Sequence, residues 1–316
     1  MNFLVVADSV ARLKPAGDTT LVIARAARRR GHTVAWCEPS GVRLSGSAVE
    51  CVAREVESCA EGTLPVLGLE TAVAIERYDG VWIRKDPPFD AAYMRFCWLL
   101  ATAERQVWMA NRPSLLVRYH EKLIPLEAVA QGFLGADDVI PTYSGDPAGA
   151  REFAGKHGRD GTVVKPFLGH GGNDIQRYPA PGLPKGVEPG PDSLVQPFLP
   201  EVLTHGDRRV FFLDGECIGH FARIPAPGGF VSNLAQGGTA HASPLTPAEQ
   251  AVVKKLGAFL KSTGFVLAGA DLMGARVSEV NVTSPTGLVS LANLDGGNPG
   301  ERVLIFAERS VAGYRR

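Results

Sequence analysis

The first 37 residues read as a strand, a helix and a second strand, and this order constrains the fold more than any other feature. Residues 3–6 (FLVV) form a continuous apolar run, as is typical of a parallel strand buried on both faces. A helical pattern runs from Thr19 to Arg30 and stops at Gly31, and residues 33–37 (TVAWC) form the next strand. This succession predicts an α/β fold. Because no G-x-G-x-x-G turn joins the elements, a dinucleotide site is not expected here.

Length and charge bound the size of the protein and the kind of partner. The 316 residues are enough for about two domains, because single cores stop growing below this size. Lysine and arginine together number 33, as do aspartate and glutamate. This balance produces no overall field that would attract nucleic acid or an anionic membrane. We expect neither as a partner, so an anionic ligand must be bound by local groups.

The cysteines and the amino terminus indicate a cytoplasmic protein. The five cysteines are odd in number and irregularly spaced, and no C-x-x-C pair suggests redox chemistry or zinc, so we expect reduced, mostly buried thiols. The apolar run at residues 3–6 is followed at once by Asp8 and has no basic start, so it is too short for a signal peptide. No apolar stretch approaches the length of a membrane span.

A break in the α/β pattern near residue 111 marks the expected domain boundary. Strands at Val81–Arg84 and Trp108–Ala110 are the last elements of the first pattern, and Asn111-Arg112-Pro113 interrupts it. The expected domains are therefore residues 1–112 and 113–316. Other expected elements are helices at 91–106, 121–131 and 147–157 and strands at 139–143, 163–165 and 193–199.

Two short motifs predict local structure in the second domain. Asp214-Gly215 lies between apolar runs and is a strong signal for a two-residue hairpin, which makes this pair of strands antiparallel. Thr246, Pro247 and Glu249 form a capping box that opens a helix, and Gly264 is placed to end it.

The most specific polar pattern combines Asp271 with Glu279 and Asn281. An apolar strand leads to Asp271, and the side chains of Glu279 and Asn281 share a face because they are two residues apart on the next strand. A three-residue loop at 274–276 would place Asp271 opposite Glu279. Two carboxylates and an amide oxygen are the hard ligands that Mg²⁺ prefers. The alternative is an edge hairpin with solvated polar side chains.

A glycine-rich turn follows a strand that ends in Lys165. Gly169, Gly171 and Gly172 allow backbone N–H groups to approach a phosphate closely. The turn is not a Walker A loop, because Lys165 precedes the glycines instead of following them. A turn without a ligand remains the alternative.

Two further patterns are consistent with a ligand site but are individually weak. The apolar strand at 193–199 could supply a slot and main-chain groups for an adenine ring, or could be an ordinary core strand. Arginines at expected strand ends suit acidic substrates, since guanidinium groups bind carboxylates and phosphates bidentately, but each alone fits a surface position. These cations and their neighbouring carboxylates are Arg84, Asp86, Asp207, Arg208, Arg209 and Arg223.

Together these features occur in an order that resembles prokaryotic glutathione synthetase, a family of the ATP-grasp superfamily. The resemblance extends from residue 18 to about residue 294. Its most distinctive segments are 83–90 (IRKDPPFD) and 279–286 (EVNVTSPT). Agreement is also found at 111–114, 121–123, 206–209, 222–225 and 233–238.

The resemblance implies an ATP-grasp fold preceded by an N-terminal α/β (pre-ATP-grasp) domain. Within the second domain it implies a small subdomain that covers ATP at 113–195 and a central subdomain with the Mg²⁺ site at 196–316. A mobile lid at about 224–240 would close over the phosphates.

The resemblance also implies roles for individual residues. Arg209 and Arg223 would be catalytic, facing the acyl phosphate, and Asp271, Glu279 and Asn281 would bind Mg²⁺. Substrate would be bound by Arg84, Asp86, Asn233 and Ser284. The nucleotide would be bound by Lys122, Lys165, Gly169, Gly171, Gly172, Gln196, Phe198, Leu199, Asp207 and Arg208.

The implied reaction needs ATP and Mg²⁺, with Mn²⁺ as an expected substitute. The γ-phosphoryl group passes to a peptide carboxylate, that of γ-glutamylcysteine, and the amine of glycine attacks the acyl phosphate. Catalysis of this kind depends on positioning and charge neutralisation. The small-molecule substrates are a dipeptide or amino-acid carboxylate and an amine acceptor, and the resemblance implies a homo-oligomer.

The chain departs from the family pattern in the lid. Val231 and Thr239 stand at positions where family members usually carry arginine. Another ATP-grasp ligase with different amino-acid or peptide substrates therefore remains an alternative. A non-catalytic ATP-binding protein is a further alternative from another class, which the retention of all three candidate metal ligands disfavours.

Overall fold

Six strands form the amino-terminal sheet of the computed structural model, which describes residues 1–314. Their order across the sheet is β4-β3-β2-β1-β5-β6, with β1 parallel to both β2 and β5 and with β5 parallel to β6. The strands are β1 (Asn2–Ala7), β2 (Thr33–Ser45), β3 (Ala48–Ser58), β4 (Val66–Ala74), β5 (Gly80–Arg84) and β6 (Trp108–Ala110). Two helices accompany them, α1 (Thr19–Arg29) and α2 (Ala91–Ala101).

The opening strand–helix–strand prediction is confirmed. The Asp18 side chain accepts from the backbone N–H groups of Thr20 and Leu21 and so begins α1. The sheet continues beyond the expected strands, since β2 extends to Ser45 and then forms an antiparallel meander with β3 and β4. Polar residues such as Glu55 and Glu57 are exposed on β3, whereas β4 exposes apolar Val66 and Leu69, so hydrophobicity alone does not reveal these two strands.

A small three-stranded sheet follows, in the order β8-β7-β9. Its elements and the preceding helices are α3 (Pro113–Arg118), α4 (Ile124–Ala130), α5 (Pro147–His157), β7 (Thr162–Pro166), β8 (Gln176–Tyr178) and β9 (Ser193–Pro197). The strand expected at 139–143 is wrong as a continuous element. Val139 and Tyr143 instead form two isolated bridges, to Val277 and Val195. The subdomain boundary expected between residues 195 and 196 lies inside β9.

A five-stranded antiparallel sheet carries most of the remaining chain, in the order β12-β11-β10-β13-β14. The elements are α6 (Val202–His205), β10 (Asp207–Leu213), β11 (Glu216–Ile224), β12 (Thr239–His241), α7 (Pro247–Thr263), β13 (Leu267–Met273), β14 (Arg276–Asn281), α8 (Leu288–Asp295) and α9 (Pro299–Tyr314). The Asp214-Gly215 hairpin is confirmed, with φ values of +50° and +77°. Thr246 and Glu249 form the expected reciprocal capping box, and Gly264 ends α7 at φ +85°.

The last two helices return to the amino-terminal sheet. Helix α9 packs against α1, and Val303 and Leu304 share one apolar core with Phe3 and Val5. Residues 288–314 thus cover the first sheet, although they lie in the second expected domain.

Asn111 joins the end of the amino-terminal sheet to the five-stranded sheet. Its side-chain oxygen accepts from the N–H groups of Val266 and Leu267, and its amide nitrogen donates to the carbonyls of Leu267 and Val282 at 2.7 and 2.6 Å. The side chain is buried, so all four bonds replace water. This contact fixes the start of β13 and the end of β14, the strands that carry the polar pattern.

The described residues contain no intramolecular disulfide, and Cys37, Cys51 and Cys97 are buried. In residues 1–314 no helix has both the length and the apolar character needed to cross a membrane.

Candidate active site

A cleft is lined by residues of the three-stranded and five-stranded sheets. Most of the site residues expected from the sequence lie on its wall, although these residues span more than 150 positions of the chain. They are Lys122, Lys165, Gly169, Gly171, Gly172, Gln196, Phe198, Leu199, Asp207, Arg223, Asn233, Asp271 and Glu279. Ile140 and Met273 line the cleft as well. Sequence reasoning missed both, although Met273 lies two residues after Asp271 on β13 and so shares its face.

Buried ion pairs link three strands at the floor of the cleft. The Arg223 guanidinium donates to both carboxylate oxygens of Asp207, at 2.7 and 2.6 Å, and lies 2.9 Å from Asp271. Arg209 approaches Asp271 through Nε at 2.7 Å and through Nη2 at 3.1 Å. The cluster contains two cations and two carboxylates and is therefore neutral as a whole.

The strand registers explain why these four charges meet. Asp207 is paired with Arg223 across β10 and β11, and Arg209 with Asp271 across β10 and β13. Opposite charges on neighbouring strands attract directly. Burial alone would raise the pKa of Asp271, but the guanidinium groups of Arg209 and Arg223 outweigh burial and hold it below its usual value. Asp271 is thus an ionised carboxylate whose oxygens face two arginines.

The hairpin between β13 and β14 places Glu279 directly opposite Asp271, as expected. The three-residue loop proposed to achieve this is wrong. Met273 pairs with Arg276, which leaves a two-residue turn with Gly274 at φ +57°, and an irregularity near Ser278 restores the pairing. Asn281 lies opposite Gly269 and donates its amide to that carbonyl at 3.3 Å.

The donor set fits a Mg²⁺ ion that takes few ligands from the protein. Glu279 lines the cleft, and within residues 1–314 no hydrogen bond or ion pair engages its carboxylate. Asp271 is adjacent but already faces two arginines, and Asn281 keeps its carbonyl oxygen available as a donor atom. No set of three His, Cys, Asp or Glu side chains converges on a metal position in this range. Such a site suits a cation that takes few protein ligands and completes its shell with phosphate oxygens.

Two lysines occupy different environments beside these carboxylates. Lys165, at the end of β7, is only 6% exposed, and no hydrogen bond or ion pair within residues 1–314 engages its ammonium. Burial lowers its pKa, and the carboxylates of Glu279 and Asp271 oppose that shift. Lys122 instead donates to the carbonyls of Pro166 and Phe167, both at 2.9 Å, and to that of Gly169.

This contrast separates the two lysines chemically. A buried ammonium without a partner is costly, and an anion in the cleft would relieve the cost, so Lys165 is a candidate phosphate ligand. Lys122 fixes the start of the glycine-rich loop by binding the carbonyls of Pro166, Phe167 and Gly169. Burial lowers the pKa of Lys122 to about 8, with Lys165 adding to the shift and Glu279 opposing it.

The strand β9 and the residues after it form the apolar end of the cleft. Phe198 is 4% exposed, its N–H donates to the Gly161 carbonyl at 2.9 Å, and the Arg177 guanidinium covers its ring at 3.7 Å. The Gln196 side chain donates to Thr142 Oγ1 at 2.8 Å. An apolar wall with fixed polar groups at its edge can accept a flat heterocycle.

A second polar cluster lies at the carboxyl end of β5, outside the lining of the cleft. Buried Arg84 donates to Thr20 Oγ1 at 3.3 Å and to the Pro285 carbonyl at 3.0 Å, and Ser284 Oγ donates to the Arg84 carbonyl at 3.4 Å. Burial raises the pKa of Asp86, although a hydrogen bond from Ser284 opposes the shift. The structure thus brings Arg84, Asp86 and Ser284 together.

Arg209 connects this second cluster to the floor of the cleft. Its Nη1 donates to the carbonyl of Thr286 at 3.3 Å while its other nitrogens face Asp271. A group bound near Ser284 would therefore lie on one side of Arg209, and a group bound in the cleft on the other.

The structure does not bring Arg208 to the cleft. Alternate residues of a strand point to opposite faces, and Arg208 lies between Asp207 and Arg209, which both belong to the buried charge cluster. Its guanidinium instead approaches Glu249 of α7 at 3.2 Å and donates to the His205 carbonyl. The sequence motif could not distinguish the two faces.

Solved structures share this arrangement of sheets along nearly the whole chain. D-cycloserine synthetase DcsG superposes with a TM-score of 0.64 at 19% identity, covering 99% of both chains. The ATP-grasp ligase PsnB, complexed with a minimal precursor, Mg and ADP, superposes with a TM-score of 0.61 at 16% identity, covering 97% of this chain and 98% of that one. The fold and the cleft are those of an ATP-grasp enzyme, a ligase that forms C–N bonds.

Sequence comparison identifies the family. The model for the prokaryotic glutathione synthetase N-terminal domain matches residues 1–117, and the model for the ATP-grasp domain of the same family matches residues 142–296. A glutathione synthetase of Rhodopseudomonas palustris is 32% identical over 318 residues, covering 96% of this chain and 97% of that protein. One of Parasynechococcus marenigrum is 34% identical over 303 residues, covering 93% and 94%. The chain belongs to the prokaryotic glutathione synthetase family.

Proposed function

We propose that this protein joins γ-glutamylcysteine to glycine and converts ATP to ADP and phosphate in the same reaction. The observation that carries the proposal is the presence, in one cleft, of the Lys165 ammonium and the Glu279 carboxylate, neither of which forms a hydrogen bond or ion pair with residues 1–314. The first is suited to a phosphate and the second to the divalent cation that accompanies it. The family relationship adds support for the peptide substrates.

In the proposed reaction the γ-phosphoryl group moves to the substrate carboxylate, the bond to the ADP oxygen breaks, and an acyl phosphate forms. The amine of glycine then attacks the acyl carbon, phosphate leaves, and the amine loses a proton. When bound, Mg²⁺ held by Glu279, Asp271 and Asn281 would neutralise phosphate charge. Mn²⁺, with the same preference for oxygen ligands, is expected to substitute.

The protein side chains contribute position and charge. Lys165 would bind the phosphates, and Lys122 would hold the glycine-rich loop of Gly169, Gly171 and Gly172 with its N–H groups towards them. Arg223 and Arg209, both ion-paired with buried carboxylates, would face the acyl phosphate and the substrate carboxylate. Charge that is already oriented requires no reorganisation during the reaction.

The two ends of the site would take different molecules. The apolar wall at Gln196, Phe198 and Leu199 would hold adenine, and Asp207 would act by orienting Arg223. The cluster of Arg84, Asp86 and Ser284 would take the peptide substrate, with Asn233 of the lid between the two ends.

A second candidate is an ATP-grasp ligase for a different acid or amine. Val231 and Thr239 favour it, because uncharged side chains there leave the lid without the cations expected to grip an anionic substrate. Val231 lines the cleft, whereas exposed Thr239 bonds to His241 at 2.8 Å.

Measuring ADP and peptide with defined acid–amine pairs tests both candidates. Stoichiometric peptide with γ-glutamylcysteine and glycine would support the first. ADP release without peptide from that pair, together with coupled product from another pair, would support the second. No nucleotide turnover with any pair would contradict both.

Three organisational features are also proposed. Residues 1–112 and 113–316 would act as separate domains, with the small ATP subdomain ending after β9 and α8 and α9 packing back on the first domain. The protein would form a homo-oligomer, as the family resemblance suggests. It would work in the cytoplasm, where ATP is available and thiols stay reduced.

A further inference from the structure

One contact in the structure joins two loops that are separated by about sixty residues. The 230–238 segment of the lid lies directly against the glycine-rich loop (residues 169–173) at the phosphate end of the cleft. A Cβ atom at Gly172 would come within 2.8 Å of Val231 Cγ1, 3.3 Å of Gln236 Cγ and 3.5 Å of Asn233 Cβ. Three lid side chains thus enclose this glycine and leave no room for a side chain.

Hydrogen bonds from one lid residue fasten the contact. Gln236 Nε2 donates to Asn173 Oδ1 at 2.8 Å and to the Gly171 carbonyl at 3.4 Å. Gln236 is the last residue of a short 3-10 turn, and the Asn233 side chain caps that turn through the Ala235 N–H at 2.9 Å. Gly237 follows at φ +87°. The turn therefore presents the glutamine amide to the glycine-rich loop in a defined orientation.

The whole contact is uncharged. The lid sequence at residues 230–238 (FVSNLAQGG) contains no lysine, arginine, aspartate or glutamate. Two contacts attach the lid to the glycine-rich loop. The Gln236 side-chain amide donates hydrogen bonds to two oxygens of the loop, and Val231 packs against the backbone of Gly172. Ion pairing cannot hold the lid to this loop, so neutral hydrogen bonding and close packing must do so.

We propose that Gln236 and Asn173 are positioning residues that hold the lid closed over the phosphate end of the cleft. This pair is here called the latch. Its proposed role depends on one part of the proposed function, namely that the cleft binds a nucleotide. A closed lid excludes water and retains a reactive phosphorylated species until the amine attacks. The latch thus sets how long ADP or ATP stays bound and how tightly ATP use is coupled to product.

The direct test is the dissociation rate of a fluorescent ADP analogue with Mg²⁺, measured by stopped flow for Gln236→Ala, Asn173→Ala and the double variant. A neutral hydrogen bond contributes about 1 kcal/mol, so each single variant should dissociate about 5-fold faster. The double variant should be no faster than Gln236→Ala, because both changes remove the same bond. Gln131→Ala, at an exposed glutamine after α4, is the matched control and should leave the rate unchanged.

Two further readouts separate a latch from a general loss of structure. The ratio of variant to wild-type rates should stay constant between about 50 and about 500 mM salt, since neutral contacts are not screened. With coupled substrates, Gln236→Ala should release more ADP per product formed, with an unchanged midpoint of thermal unfolding.

Unchanged dissociation rates in both single variants, or effects that multiply in the double variant, would overturn the latch. The nucleotide assay needs no acid or amine, so it decides the latch even if γ-glutamylcysteine and glycine are not the substrates. If Gln236→Ala releases the ADP analogue faster but γ-glutamylcysteine and glycine give no peptide, only the proposed substrates are contradicted.

Discussion

Replacement of Asp271 by asparagine should both stop turnover and destabilise the protein. Asp271 lies within 2.7 Å of Arg209 Nε and 2.9 Å of Arg223 Nη2, and none of the three side chains is more than 7% exposed. Removing its charge leaves a net positive charge in a buried cluster that is otherwise neutral. Arg223 retains Asp207, but among residues 1–314 no other carboxylate forms an ion pair with Arg209.

The expected cost follows from this geometry. Two unit charges about 4 Å apart attract by about 4 kcal/mol at an effective dielectric constant of about 20, and breaking a buried pair typically costs about 3–5 kcal/mol. Asparagine can still accept one hydrogen bond from an arginine, so the low end, about 3 kcal/mol, is expected. At roughly 2 °C per kcal/mol for a chain of this size, the midpoint of thermal unfolding should fall by about 6 °C.

A comparison with Glu279→Gln separates charge support from metal binding. Glu279 has no ion pair within the described residues, so its substitution should change the unfolding free energy by less than about 1 kcal/mol while abolishing Mg²⁺-dependent turnover. Thermal unfolding without nucleotide and ADP release at varied Mg²⁺ measure the two effects. An Asp271→Asn protein that unfolds within about 1 °C of the wild type would refute the ion-pair reasoning. A Glu279→Gln protein that retains normal turnover would refute the metal site.

Three further outcomes are expected. Lys165→Ala should lower kcat/KM for ATP by about 10²- to 10³-fold, because it removes a preorganised buried cation; unchanged steady-state kinetics would exclude the phosphate role. Burial lowers the pKa of Lys122 to about 8, so kcat/KM for ATP should fall as pH rises through about 8, and Lys122→Arg, which stays charged, should move that fall to higher pH. A fall at the same pH in Lys122→Arg would assign it to another group. Asn111→Ala should lower the unfolding free energy measured in urea by about 3 kcal/mol, because it leaves buried backbone groups unpaired, and a loss below about 1 kcal/mol would show that water replaces the amide.

Short-range features of the fold were predictable from the sequence. The helix at Thr19–Arg29 and the Thr246 capping box are coded by neighbouring residues, and so is the Asp214-Gly215 turn. Each depends on contacts within a few positions of the chain. The meander of β3 and β4 was missed because polar and apolar residues are mixed on its exposed face, and only pairing with a neighbouring strand supplies the hydrogen bonds that define it.

The candidate site was predictable only in part. Residue type and spacing located the lysines, the glycine-rich loop and the pairing of Asp271 with Glu279. They did not reveal that Asp271 neutralises two arginines, because that depends on how β10 pairs with β11 and β13. The same limitation led to Arg208 being included among the nucleotide ligands, although the strand turns it towards Glu249.

By itself, the sequence determined the α/β class, the short motifs and, through its family resemblance, the chemistry of the cleft. Only the tertiary structure decided how the two lysines differ: Lys165 forms no hydrogen bond or ion pair with the described residues 1–314, whereas Lys122 binds the carbonyls of Pro166 and Phe167. It also decided that Gln236 meets Asn173 across about sixty residues. The physical reason is range, since secondary structure arises from neighbours in the chain, whereas the partner of a charge or an amide depends on segments that become adjacent only when the sheets pack together.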